Sequence, residues 1–321
     1  NKLPLLGFAD WNDCMNLPLG AESSFNAGLY AKALLEMMDI CETLGDTKSV
    51  KMYKGWYEDI KKAFNDAAWD GKWWIRWFDK EGKAYGTHKA KYGKIYCNSQ
   101  SWSVMSGIAY GERAVMGMDS LNKLLNTANG VKSSTPGYRG FDGRVGGIST
   151  YPPGAKENGG IFLHTNPWVM IAETILGRGD KAFQYYNQIN PASKNAKLDE
   201  FESEPYCYPQ NILGDEHKQF GMGRNAWLSG TSSWTYQAAT QYIIGVRAGL
   251  QGLVVDPCIP SSWKGFTVTR KFRGATYEIT VKNPKGVCKG VASMVVDGKE
   301  IDSNVAPIFT KGVHKVEVTL G

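Results

Sequence analysis

The chain has 321 residues and a formal net charge of +6, with lysines and arginines spread along it rather than clustered. This length is enough for one large domain or two smaller ones, and the scattered charge argues against nucleic acid as a partner. No apolar run approaches the length of a membrane span, so we expect no membrane partner. The six cysteines form no CxxC pair and no zinc spacing, and we expect reduced thiols in the cytoplasm.

The first stretch that carries chemistry is GFADWNDCMN at residues 7–16. Asp10 and Asp13 flank Trp11, and the surrounding turn residues predict a loop. An indole covers the apolar face of a pyranose, while carboxyl groups address its hydroxyls or the glycosidic oxygen. Alternatively, Asp10 caps a turn, Trp11 lies in the core and Asp13 is a solvated cap. On these residues alone the structural interpretation is favoured.

Apolar periodicity then predicts helices that alternate with long polar loops. The predicted helices are residues 23–44, 46–67, 99–117, 119–129, 161–176, 180–189 and a last one from Ser229 or Thr231 to Val246. Chemically rich loops fill residues 130–160 and 199–226. This alternation favours part of an (α/α)6 barrel with its site in the loops. A plain helical bundle with decorated loops is the alternative.

From Leu253 the pattern becomes β. Runs at residues 266–272, 275–281, 292–296 and 314–320 alternate with period two and are separated by turn residues. A small antiparallel β-sandwich is predicted. The fold class is therefore mainly α with a β C-terminal part, divided into residues 1–250 and 251–321.

Two stretches are candidates for binding an anion. His164 follows a Gly-Gly break near a predicted helix start, where an imidazole and backbone amides can meet an anion. SGTSSW at residues 229–234 offers hydroxyls and amides at the mouth of a helix. An ordinary N-cap is a strong alternative for the second stretch.

Two further loops are stiffened by proline and carry polar and aromatic side chains. YPPGAKENG at residues 151–159 contains Tyr151, Lys156 and Glu157, and EPYCYPQN at residues 204–211 ends with two amides that suit sugar hydroxyls. His217 and its neighbour Glu216 suggest a metal, but the chain has four histidines and no HExxH, so no metal site is predicted.

Together these stretches resemble the inverting disaccharide phosphorylases related to cellobiose phosphorylase (glycoside hydrolase family 94-like). The matching segments run in order along nearly the whole chain: ADWND at 9–13, YPPGAKENG at 151–159, HTNPW at 164–168, EPY at 204–206, QNILGDEH at 210–217, WLSGT at 227–231, VDPCIP at 255–260 and FRGATY at 272–277. The resemblance implies the later part of an (α/α)6 barrel followed by a C-terminal β-sandwich. It also implies a homodimer.

The resemblance assigns roles to individual residues. Asp13 would be the general acid, and Trp11, Tyr151 and Lys156 would contact the acceptor sugar. Gln210 would lie near the donor sugar. Phosphate would be held by His164, Ser229 and Gly230. No cofactor is implied, because inorganic phosphate is itself a substrate.

The chain departs from the family pattern at three points. Ser229 stands where a threonine is expected, and its hydroxyl preserves the role. Gly147 stands where some members carry an acidic contact to the acceptor. The family's donor-site arginines and aspartate are expected upstream of Asn1.

The predicted reaction is phosphorolysis of a β-linked glucose disaccharide, cellobiose being favoured, to α-glucose 1-phosphate and glucose. One acid loop and one anion loop suit this reaction, because phosphate arrives as an anionic nucleophile and no second carboxylate is needed to activate water. An inverting (α/α)6 hydrolase, with Asp10 or Glu157 as a second carboxylate, is one alternative. A non-catalytic glycan-binding fragment is the other.

Overall fold

The computed structural model describes all residues from Asn1 to Gly321 and is mainly helical up to residue 245. The α-helices in chain order are α1 Ser24–Leu44, α2 Thr47–Ala67, α3 Cys97–Met105, α4 Glu112–Leu125, α5 Asn166–Ile175, α6 Gly179–Ile189, α7 Leu198–Phe201 and α8 Thr231–Gln237. A π-helical segment, Ala238–Ile243, continues α8. No helix combines the length and the apolar character that crossing a bilayer requires.

The strands of the helical part are short. They are β1 Glu22–Ser23, β2 Trp77–Phe78, β3 Ala84–Tyr85, β4 Ile95–Tyr96, β5 Asn126–Thr127, β6 Gly130–Val131, β7 Ser134–Thr135, β8 Ile161–Phe162, β9 Pro209–Ile212 and β10 Gly223–Ala226. They pin the long loops to each other in antiparallel pairs, for example β9 between β8 and β10.

The predicted antiparallel pair of long helices is confirmed as α1 and α2, and local caps explain its boundaries. The Ser23 hydroxyl accepts a hydrogen bond from the Asn26 amide at 3.1 Å, which starts α1. Gly45 ends α1 in the left-handed region (φ 75°). Asp46 then accepts from the Ser49 amide at 3.0 Å and starts α2. Two residues between the helices force them to lie antiparallel.

The helix predicted at residues 99–117 is wrong in its bounds. The chain leaves α3 after Met105, because Gly107 takes a left-handed backbone (φ 68°) that a continuing helix does not allow. The next helix starts at Glu112.

The helices form pairs around a buried inner row. Helices α1, α3, α5 and α8 pack in that order, while α2, α4 and α6 each pack on the helix before them. Every residue of α3 is buried. The structure thus shows three helical hairpins and the start of a fourth, and the six-hairpin barrel stays a prediction.

The C-terminal part is a two-layer β structure. Its strands are β11 Val246–Ala248, β12 Leu253–Val255, β13 Gly265–Phe272, β14 Ala275–Lys282, β15 Val291–Val296, β16 Lys299–Ile301, β17 Val305–Ala306 and β18 Val313–Leu320. A three-stranded sheet (β11-β12-β17) and a five-stranded sheet (β13-β14-β18-β15-β16) share one apolar core. The expectation of purely antiparallel pairing is wrong at one place, because β14 and β18 run parallel.

Candidate active site

Asp10 fixes the opening loop, residues 7–16, to the helical body. Its two carboxylate oxygens lie 2.7 and 2.8 Å from the guanidinium nitrogens of Arg76, and both side chains are fully buried. The Ser23 hydroxyl donates to the same carboxylate at 2.8 Å. Burial alone would raise the pKa of Asp10, but the charge of Arg76 and the donated hydrogen bonds hold it below its usual value. Asp10 is therefore an ionised structural anchor.

Asp13, three residues later, is exposed. One of its carboxyl oxygens lies within 4.8 Å of the Cys14 sulfur and of a Glu157 oxygen. Burial raises the pKa of the Cys14 thiol, which stays protonated and donates to the Asn12 side chain at 2.8 Å. A protonated thiol is a poor metal ligand. The cluster is therefore better described as a carboxyl pair than as a metal centre.

Trp11 connects this loop to His164. The two rings meet edge to face with centroids 5.5 Å apart, and Trp168 and Trp234 lie 5.2 and 6.4 Å from the same imidazole. Burial lowers the pKa of His164, so the ring is neutral at neutral pH. Its Nε2 atom has no hydrogen-bond partner. A neutral imidazole still offers one N–H donor to an anion.

Gly230 lies against the same imidazole. A Cβ atom built on Gly230 would stand 3.2 Å from Cε1 of His164. The neighbouring Ser229 hydroxyl accepts from the Thr231 amide at 3.1 Å and shares a short hydrogen bond with the Thr231 hydroxyl. The structure thus brings Trp11, His164 and Gly230 into one contact chain, with Ser229 beside it.

Tyr151 and Lys156 line a cleft of about 260 Å³ together with Asn211, His217 and Arg224. The ammonium group of Lys156 lies 5.2 Å from the centroid of the Tyr151 ring. Lys156 has a left-handed backbone (φ 47°), a strained conformation of the kind that clusters at ligand sites. The structure places Tyr151 and Lys156 side by side, and their contact with an acceptor sugar stays a prediction.

Gln210 lies on β9, beside the loop that carries Lys156. The Asn211 side chain accepts from the Lys156 amide at 3.3 Å and so joins the strand to that loop. The side-chain Oε1 of Gln210 is buried without a partner. Gln210 therefore has unused hydrogen-bonding capacity next to the cleft.

Gly147 packs closely against the backbone of the opening loop. A Cβ on Gly147 would stand 2.9 Å from the Cys14 carbonyl oxygen, and one on Gly146 would stand 2.7 Å from the Asn16 amide nitrogen. A side chain at either position would push the backbone next to Asp13. The absence of an acidic residue at Gly147 has this steric explanation.

Several site residues were not singled out from the sequence. Trp168 follows His164 by four residues, the spacing at which side chains on a helical turn meet, and this signal was available. Trp234 is the last residue of the SGTSSW stretch, and no role was assigned to it from the sequence. Arg76, which pairs with Asp10, is 66 residues away in the chain and has no local sequence signal.

Comparison with known proteins places these residues in a family. A family model described as the glycosyl hydrolase 94 superfamily, catalytic domain, matches residues 1–245. N,N'-diacetylchitobiose phosphorylase from Vibrio proteolyticus is 41% identical over 315 residues, 98% of this chain and 39% of that protein. Solabiose phosphorylase from Paenibacillus borealis is 33% identical over 325 residues, 100% of this chain and 42% of that protein. The chain thus spans about two fifths of the length of these relatives.

A sialidase of known structure superposes on 83% of this chain and 24% of its own, with a TM-score of 0.57 and 11% identity. That likeness concerns the fold alone.

The motif order along the sequence, the matched family model and the two phosphorylase relatives agree with each other. The chain belongs to the glycosyl hydrolase 94 superfamily, and residues 1–245 match the catalytic domain of that superfamily.

Proposed function

We propose that the whole protein catalyses inverting phosphorolysis of a β-linked disaccharide, with Asp13 as the general acid and inorganic phosphate as the nucleophile. The observation that carries the proposal is the contact chain from Trp11 through His164 to Gly230. It joins the opening loop, which carries Asp13, to His164 and the Ser229–Gly230 segment. There a neutral imidazole N–H and small residues can receive an anion. The phosphorylase relatives support the same reaction class.

In the proposed reaction a phosphate oxygen attacks the anomeric carbon from the face opposite the leaving sugar. The glycosidic C–O bond breaks, and the Asp13 proton moves to the leaving oxygen. Attack from the opposite face inverts the β-linkage, so the product is an α-sugar 1-phosphate. His164 and the Ser229–Gly230 segment hold the phosphate, with the imidazole as a neutral donor.

The two sugars occupy different groups of residues in this proposal. Tyr151 and Lys156 bind the acceptor sugar in their shared cleft, and Trp11 covers an apolar sugar face. Gln210 binds the donor sugar with its unpartnered amide oxygen. Cellobiose is the disaccharide that the sequence motifs favour. N,N'-diacetylchitobiose is a second candidate, because the relative at 41% identity is named for it.

The hydrolase alternative has less support from the geometry. Asp10 is buried in its ion pair with Arg76 and cannot activate water. Glu157 has an oxygen within 4.8 Å of Asp13, whereas inverting hydrolases keep their carboxyls roughly 6.5–9.5 Å apart to hold a water between them. A phosphate nucleophile removes the need for that spacing.

The test is product formation by the whole protein from cellobiose and from N,N'-diacetylchitobiose, with and without phosphate. We expect sugar 1-phosphate only when phosphate is present, with the α-configuration in its proton NMR spectrum. Free-sugar release that ignores phosphate would identify a hydrolase, and binding without turnover would identify a glycan-binding protein. Light scattering on the same sample tests the predicted homodimer.

A further inference from the structure

Glu173, near the end of α5, is a buried carboxyl group that the proposed reaction does not use. Its side chain is 0% exposed, and neither carboxyl oxygen has a hydrogen-bond partner. Arg178, in the turn before α6, is the one cation that forms an ion pair with it, at 3.6 Å. We call these two residues the α5–α6 pair. A buried carboxylate with so little compensation is costly, so its surroundings favour the protonated acid.

Arg178 also has an outer partner at a shorter distance. Its Nη1 atom lies 2.7 Å from a carboxyl oxygen of Asp119 on α4, and the same atom lies 3.6 Å from a carboxyl oxygen of Glu173. The Asp119 side chain is 54% exposed, whereas that of Glu173 is enclosed. One guanidinium group thus lies between two carboxyl groups, and the charge of Glu173 determines how strongly the inner one attracts it.

The other elements that pack around Glu173 bring one further charge close to it. Helix α6 contributes Lys181 and Tyr185, and the β region contributes Cys258. Burial raises the pKa of both the Tyr185 hydroxyl and the Cys258 thiol, so these two groups are neutral at neutral pH. Helices α3 and α8 and the π-helical segment also pack on α5 and contain no charged residue. Lys181 is therefore the only charged group near Glu173 besides the two already described.

These surroundings allow Glu173 to change its charge near neutral pH. Burial raises the pKa of Glu173 to about 7, and the negative charge of Asp119 adds to this effect. The positive charges of Arg178 and Lys181 oppose the increase in the pKa but do not cancel it. A change of charge therefore occurs at a position that the fold encloses.

Hydrogen bonds join the β region to the helical body at the turn between α5 and α6. The Lys289 ammonium group donates to the Thr174 carbonyl at 3.0 Å, at the C-terminal end of α5. The Ser261 amide donates to the Asp180 carboxylate at 2.9 Å, at the start of α6. The α5–α6 pair flanks this turn, so a movement of its guanidinium group would reach both attachment points.

We propose that the α5–α6 pair, together with Asp119, is a pH-sensitive switch at the junction of the helical body and the β region. While Glu173 is protonated, Arg178 stays on Asp119. When Glu173 releases its proton to solvent, its new negative charge attracts Arg178 away from Asp119. The turn that carries Arg178 then loosens its hydrogen bonds to the β region. The switch does not depend on the proposed reaction.

Glu173→Gln tests the switch, because it keeps the size of the side chain and stays uncharged at every pH. The folded wild type binds the proton of Glu173 more tightly than the unfolded chain does, so the wild type loses stability as pH rises from 4.5 to about 7. Urea unfolding of the whole protein measures this loss. The unfolding equilibrium constant of the wild type, divided by that of the variant, is expected to rise roughly 10- to 100-fold between pH 5 and 8. A constant ratio would overturn the proposal.

Glu36→Gln is the matched control. Glu36 lies on α1, and its side chain is 59% exposed in an ion pair with Lys32. The same ratio of unfolding constants is expected to stay flat for this variant, because an exposed pair contributes little to stability. An equal rise for Glu36→Gln and Glu173→Gln would mean that burial of Glu173 is not the cause, and would contradict the switch.

Asp119→Asn tests the exchange of partners. It removes the outer partner of Arg178, so the guanidinium group stays with Glu173 and stabilises its ionised form. The loss of stability between pH 5 and 8 is therefore expected to be smaller than in the wild type. An unchanged loss would show that Arg178 does not move between the two carboxyl groups, and would overturn the switch.

Hydrogen exchange in the wild-type protein gives a readout that needs no variant. Peptides that cover residues 257–263, where the Ser261 amide bonds to Asp180, are expected to lose protection between pH 6 and 8 after correction for intrinsic exchange. Peptides from α2 are expected to keep theirs. Equal protection of residues 257–263 at both pH values would contradict the switch. A protein that shows these changes but forms no sugar phosphate would keep the switch and lose the proposed function.

Discussion

Residues 1–245 and residues 246–321 differ in whether their buried polar side-chain atoms have hydrogen-bond partners. All but one of the buried side-chain polar atoms without a hydrogen-bond partner lie in the first region, among them those of Glu157, His164 and Gln210. The exception is Nε of Arg270. Because unpartnered buried groups cost stability, the groups of Glu157, His164 and Gln210, near the opening loop and the Lys156 loop, are candidates for contact with a ligand.

In the β region, residues 246–321, the other buried polar side chains have hydrogen-bond partners. The Tyr277 hydroxyl donates to the Pro307 carbonyl at 2.8 Å and accepts from the Phe309 amide at 3.1 Å. The Asn283 side chain bonds to two carbonyls and one amide. Substitutions there should therefore change stability, while substitutions at the unpartnered groups of the first region should change activity. The following variants test this difference.

Asp10→Asn is expected to destabilise the protein by about 3–5 kcal/mol, because it leaves Arg76 charged and buried without its partner. The urea unfolding midpoint measures this. Asp66→Asn is the control, because its ion pair with Lys62 is exposed and an exposed pair contributes little to stability. Equal effects of the two variants would show that Asp10 is not a structural anchor.

Ile279→Ala in β14 is expected to cost about 2–5 kcal/mol of stability, because Ile279 is 1% exposed in the core between the two sheets. Ile279→Val should cost about 0.5–1.5 kcal/mol. Both variants should keep the wild-type kcat/KM at temperatures where they are folded. A selective loss of activity would link the β region to the site.

His164→Asn is expected to raise the KM for phosphate by roughly 10- to 100-fold, because a hydrogen bond to a charged group is worth about 1.5–3 kcal/mol. The KM for the disaccharide should change less. Initial rates at varied phosphate and fixed disaccharide measure the difference. An unchanged KM for phosphate would remove His164 from the phosphate site.

His164 also predicts a dependence of stability on pH. Since burial lowers its pKa in the folded state, the unfolded chain binds a proton more readily below about pH 6.5. His164 therefore destabilises the fold as pH falls from 7 to 5. The urea midpoint of His164→Asn should fall less over this range than that of the wild type, and equal losses would contradict the burial of the imidazole.

Gly147→Ala is expected to lower kcat/KM several-fold and to cost about 1–3 kcal/mol of stability, since its Cβ would press on the Cys14 carbonyl at 2.9 Å. Gly143→Ala is the control, because its Cβ would meet nothing closer than 3.8 Å. Similar kcat/KM values for both variants would show that the backbone next to Asp13 adjusts to the added Cβ without loss of activity.

The parts of the fold that depend on local signals were predictable from the sequence. Caps at Ser23 and Asp46 and the glycine at residue 45 place α1 and α2 within one residue of their predicted bounds. The end of α3 was missed, because Gly107 ends the helix in a left-handed conformation while the apolar pattern continues past it. The parallel pairing of β14 with β18 joins strands far apart in sequence, and alternation alone does not specify a partner.

The difference between local signals and contacts of distant residues also applies to the site. Motifs pointed to Trp11, His164 and Gly230, and the structure brings these three together. They did not separate the roles of the two aspartates, because the difference comes from Arg76, which is distant in the chain. Nor did they show that Glu157 lies beside Asp13, since tertiary packing brings the two loops together.

The most direct test of the account is Asp13→Asn in the whole protein, assayed for phosphate-dependent sugar 1-phosphate formation together with its urea midpoint. Asp13 is exposed, so the midpoint should stay close to that of the wild type. Loss of a general acid should lower kcat by about 10²- to 10⁴-fold. A variant that keeps phosphorolysis, or that loses it only because it unfolds, would contradict the assignment of Asp13 as the acid.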